Sequence, residues 1–433
     1  MNINNEFDSC RNFSWLPLDN AAKIFPAVQS NENTAVFRIS AVLNERVNLA
    51  CLMTAVRKVE SRFPYFKVSL KKGFFWYYLE YIHQQLTPVL DIQGLCRGFG
   101  NWERDVLLFR IAVIKNRISV EFSHILTDGT GASVFLATLL GAYFTEKGCR
   151  CDEIPGIDPD SPVSEQEFED AYNHYFKANI PPVVQYTRAF HLPFRLNDRP
   201  RFHVIHALIP LNQLKAKAGE KGISITDYLI SVYLFVLQDI FFALPRYNSF
   251  GNKKILRIQV PVNLRKIYPT RSLRNFSLFV LPEIDLRLGH YTFVEITKIV
   301  YHKMRLETDE KLINKIIARN VGNEKNFIIR GIPLFLKNLI LYLKYYSQGA
   351  NQYSGVVTNL GKIELPPEMM QKIAYLVFIP PPPNRKIKVN CGVIGFQDKL
   401  VISFGNITRS TEVETKFFRF LTGQGIQVKL TTP

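Results

Sequence analysis

The chain has 433 residues, with 54 lysines and arginines against 37 aspartates and glutamates, for a formal net charge of +17. Hydrophobic residues make up 47% and charged residues 21%, a balance that excludes a disordered, collagen-like or low-complexity chain. Six cysteines, at 10, 51, 96, 149, 151 and 391, include no CxxC pair, which excludes a disulfide framework or a zinc ribbon.

Cys149 and Cys151 form only C-x-C. The six are read as reduced thiols of a cytoplasmic protein. The polar N-terminus, MNINNEFDSCRNFSW, lacks the basic start and apolar run of a secretory signal. A basic balance attracts anions such as nucleic acid, anionic lipid or a phosphate-rich ligand. The basic groups are spread along the chain, with small groupings at Lys253-Lys254-Arg257, Arg265-Lys266, Arg271-Arg274 and Arg385-Lys386-Lys388. No nucleic-acid module accompanies them, so the expectation is a solvated basic surface with no nucleic-acid partner.

In chain order, Thr34–Leu43 reads as a strand and Leu49–Phe63 as a helix stopped by Pro64. Phe74–Tyr81 is aromatic and strand-like, and its FFWYY run is expected in a core or cleft wall. Residues 107–114 and 117–123 read as a hairpin turning at Lys115-Asn116, and 131–144 as a helix. From Gly148 to Pro200 the chain is proline-rich with an acidic start and reads as a crossover.

The second half opens with a strand at Phe202–Pro210 and helices near 211–221 and 225–243. Asp227–Leu244 is apolar enough to raise a bilayer span, but Asp227, Gln238 and Asp239 point to a buried core helix, so no transmembrane segment is expected. Strands follow at 255–262 and 276–286, then helices over 292–319 and 326–347; the second is amphipathic, with Arg330, Lys337 and Lys344. Strands at 353–358, 374–379, 387–394 and 400–404 and a helix near 411–422 complete the chain, and Pro380–Pro383 reads as a rigid surface loop. Each half repeats a mixed strand and helix content, which predicts two α/β layers with a cleft between them.

The stretch EFSHILTDGTGASVF, from Glu121, concentrates the chemistry. In RISVEFSH, Ile118, Val120, Phe122 and His124 share parity, so a continued pleat turns the ring to the apolar side. Such a ring is either a core histidine bonded to a carbonyl or a general base. Burial favours its neutral form and leaves a basic nitrogen. Asp128 has two readings, a cap for the following helix or an anchor held by a distant cation. Gly129 permits a tight turn between them. His203 and His206, three apart on a strand, face opposite ways and do not suit a shared metal. GxSxG, Walker and HExxH patterns are absent, and Gly129-x-Gly131 lacks the third glycine of a dinucleotide loop.

SHILTDG resembles the HxxxDG motif of the chloramphenicol acetyltransferase-like acyltransferases, the superfamily that includes peptide-synthetase condensation domains. VPVNLRKIYPTRSLRNFSLFVLPEID, YSGVVTNLGKIELP and AVRKVESRFPYFKVSL resemble other segments of that family in order and spacing. Among its branches, the bacterial alcohol acetyltransferase-like one is the nearest match. The resemblance implies two similar chloramphenicol acetyltransferase-like subdomains of mixed sheets flanked by helices. They would span 1–175 and 201–433, with a linker at 176–200 and an active-site channel between them.

It further implies that His124 is the general base, that Asp128 pairs with Arg265 to hold the His124 loop with Gly129, and that Asn359 and Gly361 lie beside the substrate channel. No metal and no permanently bound cofactor is implied; acyl-CoA, or a phosphopantetheine-linked donor, would be co-substrate. The partners would be a small-molecule alcohol or amine acceptor and acyl-CoA, giving an acyl-CoA-dependent O-acetyltransferase. In the alternative, an acyl or peptidyl carrier protein delivers the acyl group, or the chain is a degenerate binding module. Ser123 stands where many condensation domains carry a first histidine, and the DFGWG segment of plant members is absent.

Overall fold

The computed structural model describes residues 14–431 apart from 93, 101–103, 151–152, 154, 179, 182–185 and 246–252. Cys10 and Cys151 lie outside the described residues, and Cys51, Cys96, Cys149 and Cys391 are free thiols. The architecture is mixed α/β, with mixed sheets flanked by helices, as the sequence patterns predict.

One five-stranded sheet runs in the order Ile373–Ile379, Val36–Leu43, Arg117–Ser123, Phe109–Ile114, Val89–Leu90. A larger sheet runs Ser277–Val280, Ile255–Asn263, Gly355–Lys362, Val389–Phe396, Lys399–Asn406, His203–Pro210, Lys429–Thr431, with Glu283–Asp285 also paired to Ile255–Asn263. A small sheet joins Trp15–Pro17, Tyr77–Tyr81 and Val68–Lys72. Two large cores follow this division, one under each of the bigger sheets.

The strand Ile373–Ile379 belongs by sequence to the second half, yet it pairs antiparallel with Val36–Leu43 of the first, Val377 opposite Ser40. The chain returns to the larger sheet through Pro380–Pro383. That loop is buried except for a half-buried Pro381, contrary to the surface loop expected from sequence. Prolines suit the position because they have no N–H to leave unpaired in the interior. The Pro381 carbonyl accepts from Asn390 Nδ2 at 3.0 Å.

Prolines and caps also divide elements expected to be continuous. Pro282 separates Ser277–Val280 from Glu283–Asp285, and Asp309 ends one helix at Glu307 and caps the next, Glu310–Lys325, by accepting from Lys311 N. Pro333 splits Phe327–Gly331 from Leu334–Lys344. The apolar helix Ile225–Ala243 is long enough to cross a bilayer, but it is the axis of the second core, 72% buried. Its buried Asp227 and Gln238 are satisfied internally. Ser224 and Asp227 form a reciprocal cap, and Gln238 bonds both the N–H and the carbonyl of Tyr291 at 2.8 Å.

The basic groupings are not uniformly solvated, as the sequence reading has them. Arg257 is buried and donates to Glu283 at 2.6 Å, Arg265 pairs with Asp128, and Arg274 sits 3.6 Å from the buried Asp19. Lys388 donates to the carbonyls of Leu192 and Phe194. In each group one member is bonded inside the fold, because desolvating a guanidinium or ammonium requires such partners. Arg62, at the end of the helix Leu49–Arg62, clasps Glu167 of the crossover at 2.7 and 2.6 Å, and Tyr65 donates to the same carboxylate at 2.8 Å. The acidic stretch of the crossover therefore supplies a counter-ion to the first half.

Candidate active site

His124 follows directly on the strand Arg117–Ser123. Its N–H donates to the Ala35 carbonyl at 2.9 Å, which continues the ladder with the neighbouring strand by one residue. The side-chain parity carries on with it. The imidazole lies between Phe25 (centroids 5.4 Å apart, planes 15° apart) and Phe37 (4.6 Å, 34°), and keeps part of its surface exposed. Nδ1 is 3.2 Å from the Thr127 carbonyl oxygen. A carbonyl only accepts, so Nδ1 carries the hydrogen and Nε2 carries the lone pair. Burial between the aromatic rings pushes the pKa of His124 below the ordinary value, while the charge of Asp128 and the Thr127 carbonyl pull the other way. At neutral pH the ring is uncharged, with its basic nitrogen held in a fixed direction.

Ser123, in the position of the missing first histidine, shapes the turn. Its hydroxyl accepts from Ile125 N at 3.2 Å and its carbonyl accepts from Leu126 N at 2.9 Å.

Both readings of Asp128 hold at once, one on each oxygen. Oδ1 caps the helix Gly129–Glu146 by accepting from Thr130 N at 3.0 Å and Gly131 N at 3.2 Å. Oδ2 accepts from Arg265 at 2.8 Å and from Phe276 N at 2.9 Å. Arg265 spends its remaining donors on the carbonyls of Ser272 (2.8 Å) and Arg274 and on Asn263 Oδ1. It comes from the turn after the strand Ile255–Asn263, so this cluster joins the larger sheet to the His124 loop of the smaller one.

Gly129 serves the site by its lack of a side chain rather than by its backbone angle. Its φ is not positive, and a methyl there would press on the tip of Leu360. Leu360 brings the adjacent Asn359–Gly361 segment against the start of the same helix. Asn359 Nδ2 donates to Thr226 Oγ1 at 3.0 Å, and its Oδ1 accepts from Gly361 N at 2.8 Å. Gly361 has φ +79° and sits where the register with Val389–Phe396 shifts, a bulge that needs a left-handed residue. The structure thus gathers His124, Asp128, Gly129, Arg265 and the Asn359–Gly361 bulge around the first turn of Gly129–Glu146. His203 and His206 are elsewhere; His206 is buried with Nδ1 2.8 Å from Ser403 Oγ.

No protein-family model matches the chain, and no curated protein matches it. Solved structures do. Polyketide synthase associated protein 5 from Mycobacterium tuberculosis superposes with a TM-score of 0.60 at 14% identity, over 93% of this chain and 96% of that one. The first condensation domain of the CDA synthetase gives 0.59 at 14%, over 95% and 96%. F. graminearum TRI101, in complex with coenzyme A and deoxynivalenol, gives 0.63 at 10%, over 96% and 99%. The fold is that of the condensation domains. Identities of 10–14% carry architecture, and the chemistry has to be argued from the residues themselves.

Within this condensation-domain fold, several supporting residues escape the sequence reading. Thr127 orients the ring through its carbonyl, and its hydroxyl donates to the Leu273 carbonyl at 2.5 Å. Asn275 donates to the His124 carbonyl at 2.9 Å and to Asp19 at 3.0 Å. Asp19 is fully buried, which pushes its pKa up to about 6 against the opposing pull of Arg274. Phe25 and Phe37 sandwich the imidazole. Of these, Thr127 lies inside SHILTDG and Asn275 inside the quoted stretch from Val260, but spacing alone does not say which atoms of either stretch turn toward the ring at position 124.

Proposed function

We propose that the chain is an acyltransferase that moves an acyl group from acyl-CoA to an alcohol or amine, with His124 as general base. The observation that supports this most directly is the fixed tautomer. Nδ1–H is committed to the Thr127 carbonyl, so Nε2 is left to accept a proton at a partly open site.

In this reading Nε2 takes the proton from the acceptor O–H or N–H as that atom attacks the thioester carbonyl. A C–O or C–N bond forms and the carbonyl becomes a tetrahedral oxyanion. Its collapse breaks the C–S bond, and the departing sulfur recovers the proton from the imidazolium. Products are the ester or amide and the free thiol, and His124 is neutral again. A thiol with a pKa of about 8.5 leaves without a second acid, so one histidine suffices. Asp128 does not touch the ring; with Arg265, Gly129 and Asn275 it holds the loop that aims Nε2. Asn359 and Gly361 line the approach to that loop. The basic character of the chain suits the phosphates of coenzyme A or of a phosphopantetheine arm.

The test is His124→Ala assayed by thiol release across a panel of short- and long-chain acyl-CoAs with alcohol and amine acceptors. Loss of turnover with an unchanged melting curve supports the role, and retained turnover removes it. Transfer only from an acylated carrier protein would instead establish the carrier-dependent reading, which shares the same base.

A further inference from the structure

The helix Leu334–Lys344 is inside out. Its inward stripe is Leu334, Lys337, Asn338 and Leu341, the first two buried and the others half-buried. Lys337 donates to the carbonyls of Phe75 at 3.1 Å and Arg330 at 3.0 Å and lies 3.5 Å from the centre of the Trp76 ring, while Asn338 donates to the Tyr77 hydroxyl at 2.8 Å. Its outward face carries Phe335, Leu336, Leu339, Ile340 and Leu343, all exposed. A helix meant for water places these residues the other way round.

The apolar surface extends beyond the helix. Phe327 is 89% exposed and Ile328 77%, on the short helix just before it. Phe74 is 73% exposed on a hairpin whose carbonyl accepts from Leu334 N at 2.9 Å, so hairpin tip and helix start are one platform. Isolated exposed hydrophobics are ordinary on a protein surface, but this many on joined segments mark a binding face.

Charge identifies the occupant. From Lys325 to Lys344 the chain has no aspartate or glutamate but carries Lys325, Arg330, Lys337 and Lys344. Lys72 stands two residues before Phe74 on the hairpin, and Lys72, Lys325, Arg330 and Lys344 are exposed. The whole chain carries +17. Aliphatic and phenylalanine side chains facing out, with exposed lysine and arginine on the same segments, complement an anionic bilayer, whose headgroups attract the cations while the acyl boundary takes the apolar face. We propose that Phe74, Phe327, Ile328 and the outward face of Leu334–Lys344 dock this protein on an anionic membrane surface. The docking face also reaches the candidate site. Leu334–Lys344 packs on the turn Phe25–Val28, and Phe25 stacks on His124. The inference stands on surface geometry and charge and does not depend on His124 being catalytic.

The experiment is co-sedimentation of the full chain with phosphatidylcholine vesicles and with vesicles containing phosphatidylglycerol, at low and high salt. Binding is expected to the anionic vesicles and to weaken as salt rises. Leu339→Ser/Leu343→Ser should weaken it by about tenfold or more, since each change removes a large apolar group from the interface. Phe74→Ser, on a different element, should weaken it in the same sense. Both variants should keep the parent melting curve, because the altered side chains point outward. No sedimentation of the parent with anionic vesicles overturns the proposal, as does equal binding by the variants. A parent that ignores vesicles but forms a dimer lost in Leu339→Ser/Leu343→Ser would make this face a contact between copies, and would equally overturn it.

Discussion

Replacing Arg265 with alanine removes the cation that ties the two halves at the His124 loop. Its side chain is 11% exposed and that of Asp128 8%, so the pair is in the buried class, where loss of one partner costs about 3–5 kcal/mol. Asp128 keeps three backbone donors, from Thr130, Gly131 and Phe276, which favours the lower end, about 3 kcal/mol. The lost donations to Ser272 and Arg274 act in the other direction by freeing the turn that carries Asn275. Turnover should fall by about a hundredfold, since a displacement of order 1 Å at a reacting group has that effect. The assay is the urea midpoint together with thiol release, for Arg265→Ala, Asp128→Asn and the double variant. The two single losses should overlap, with the double variant less damaged than their sum by about 1–3 kcal/mol. Additive losses within about 0.5 kcal/mol, or a midpoint and rate unchanged in Arg265→Ala, would refute the clasp.

The rate should rise with pH and level off with an apparent pKa below histidine's ordinary 6.5, because burial disfavours the imidazolium of His124; an apparent pKa above 6.5 would contradict that environment. Gly131→Ala should disrupt folding or activity more than Gly129→Ala. A methyl at 131 meets the Leu273 carbonyl and Thr127 Oγ1, whereas at 129 it meets only the movable end of Leu360; comparable melting temperatures for the two would count against this ordering. Burial lowers the pKa of His206 from 6.5 to about 4. As pH falls through that window the unfolded chain takes up a proton that the folded one refuses, so stability drops, by up to about 3 kcal/mol. His206→Gln should remove that part of the acid slope, and an unaltered difference between pH 7 and pH 4 would show that His206 does not contribute it.

Much of this was legible locally. The hairpin of Phe109–Ile114 and Arg117–Ser123, the helix Ile225–Ala243 and the strand-loop-helix setting of His124 all follow from residue spacing, because parity and helical period are properties of a short window. The pairing of Asp128 with Arg265 came from resemblance, and nothing in their spacing of 137 residues fixes it.

Alone, the amino-acid order settled the type and order of most elements, which of their faces are apolar and that an imidazole ends the strand before a capped helix. Tertiary structure decided what each face meets. It placed Ile373–Ile379 in the sheet of the other half, buried the proline loop, and brought Thr127, Asn275 and two phenylalanines to His124. It also turned the apolar side of Leu334–Lys344 outward, where periodicity alone would bury it. The physical reason is that periodicity records an apolar stripe without recording its partner, and partners such as Asp128 with Arg265 and His124 with Asn275 are 137 and 151 residues apart, chosen by packing and charge.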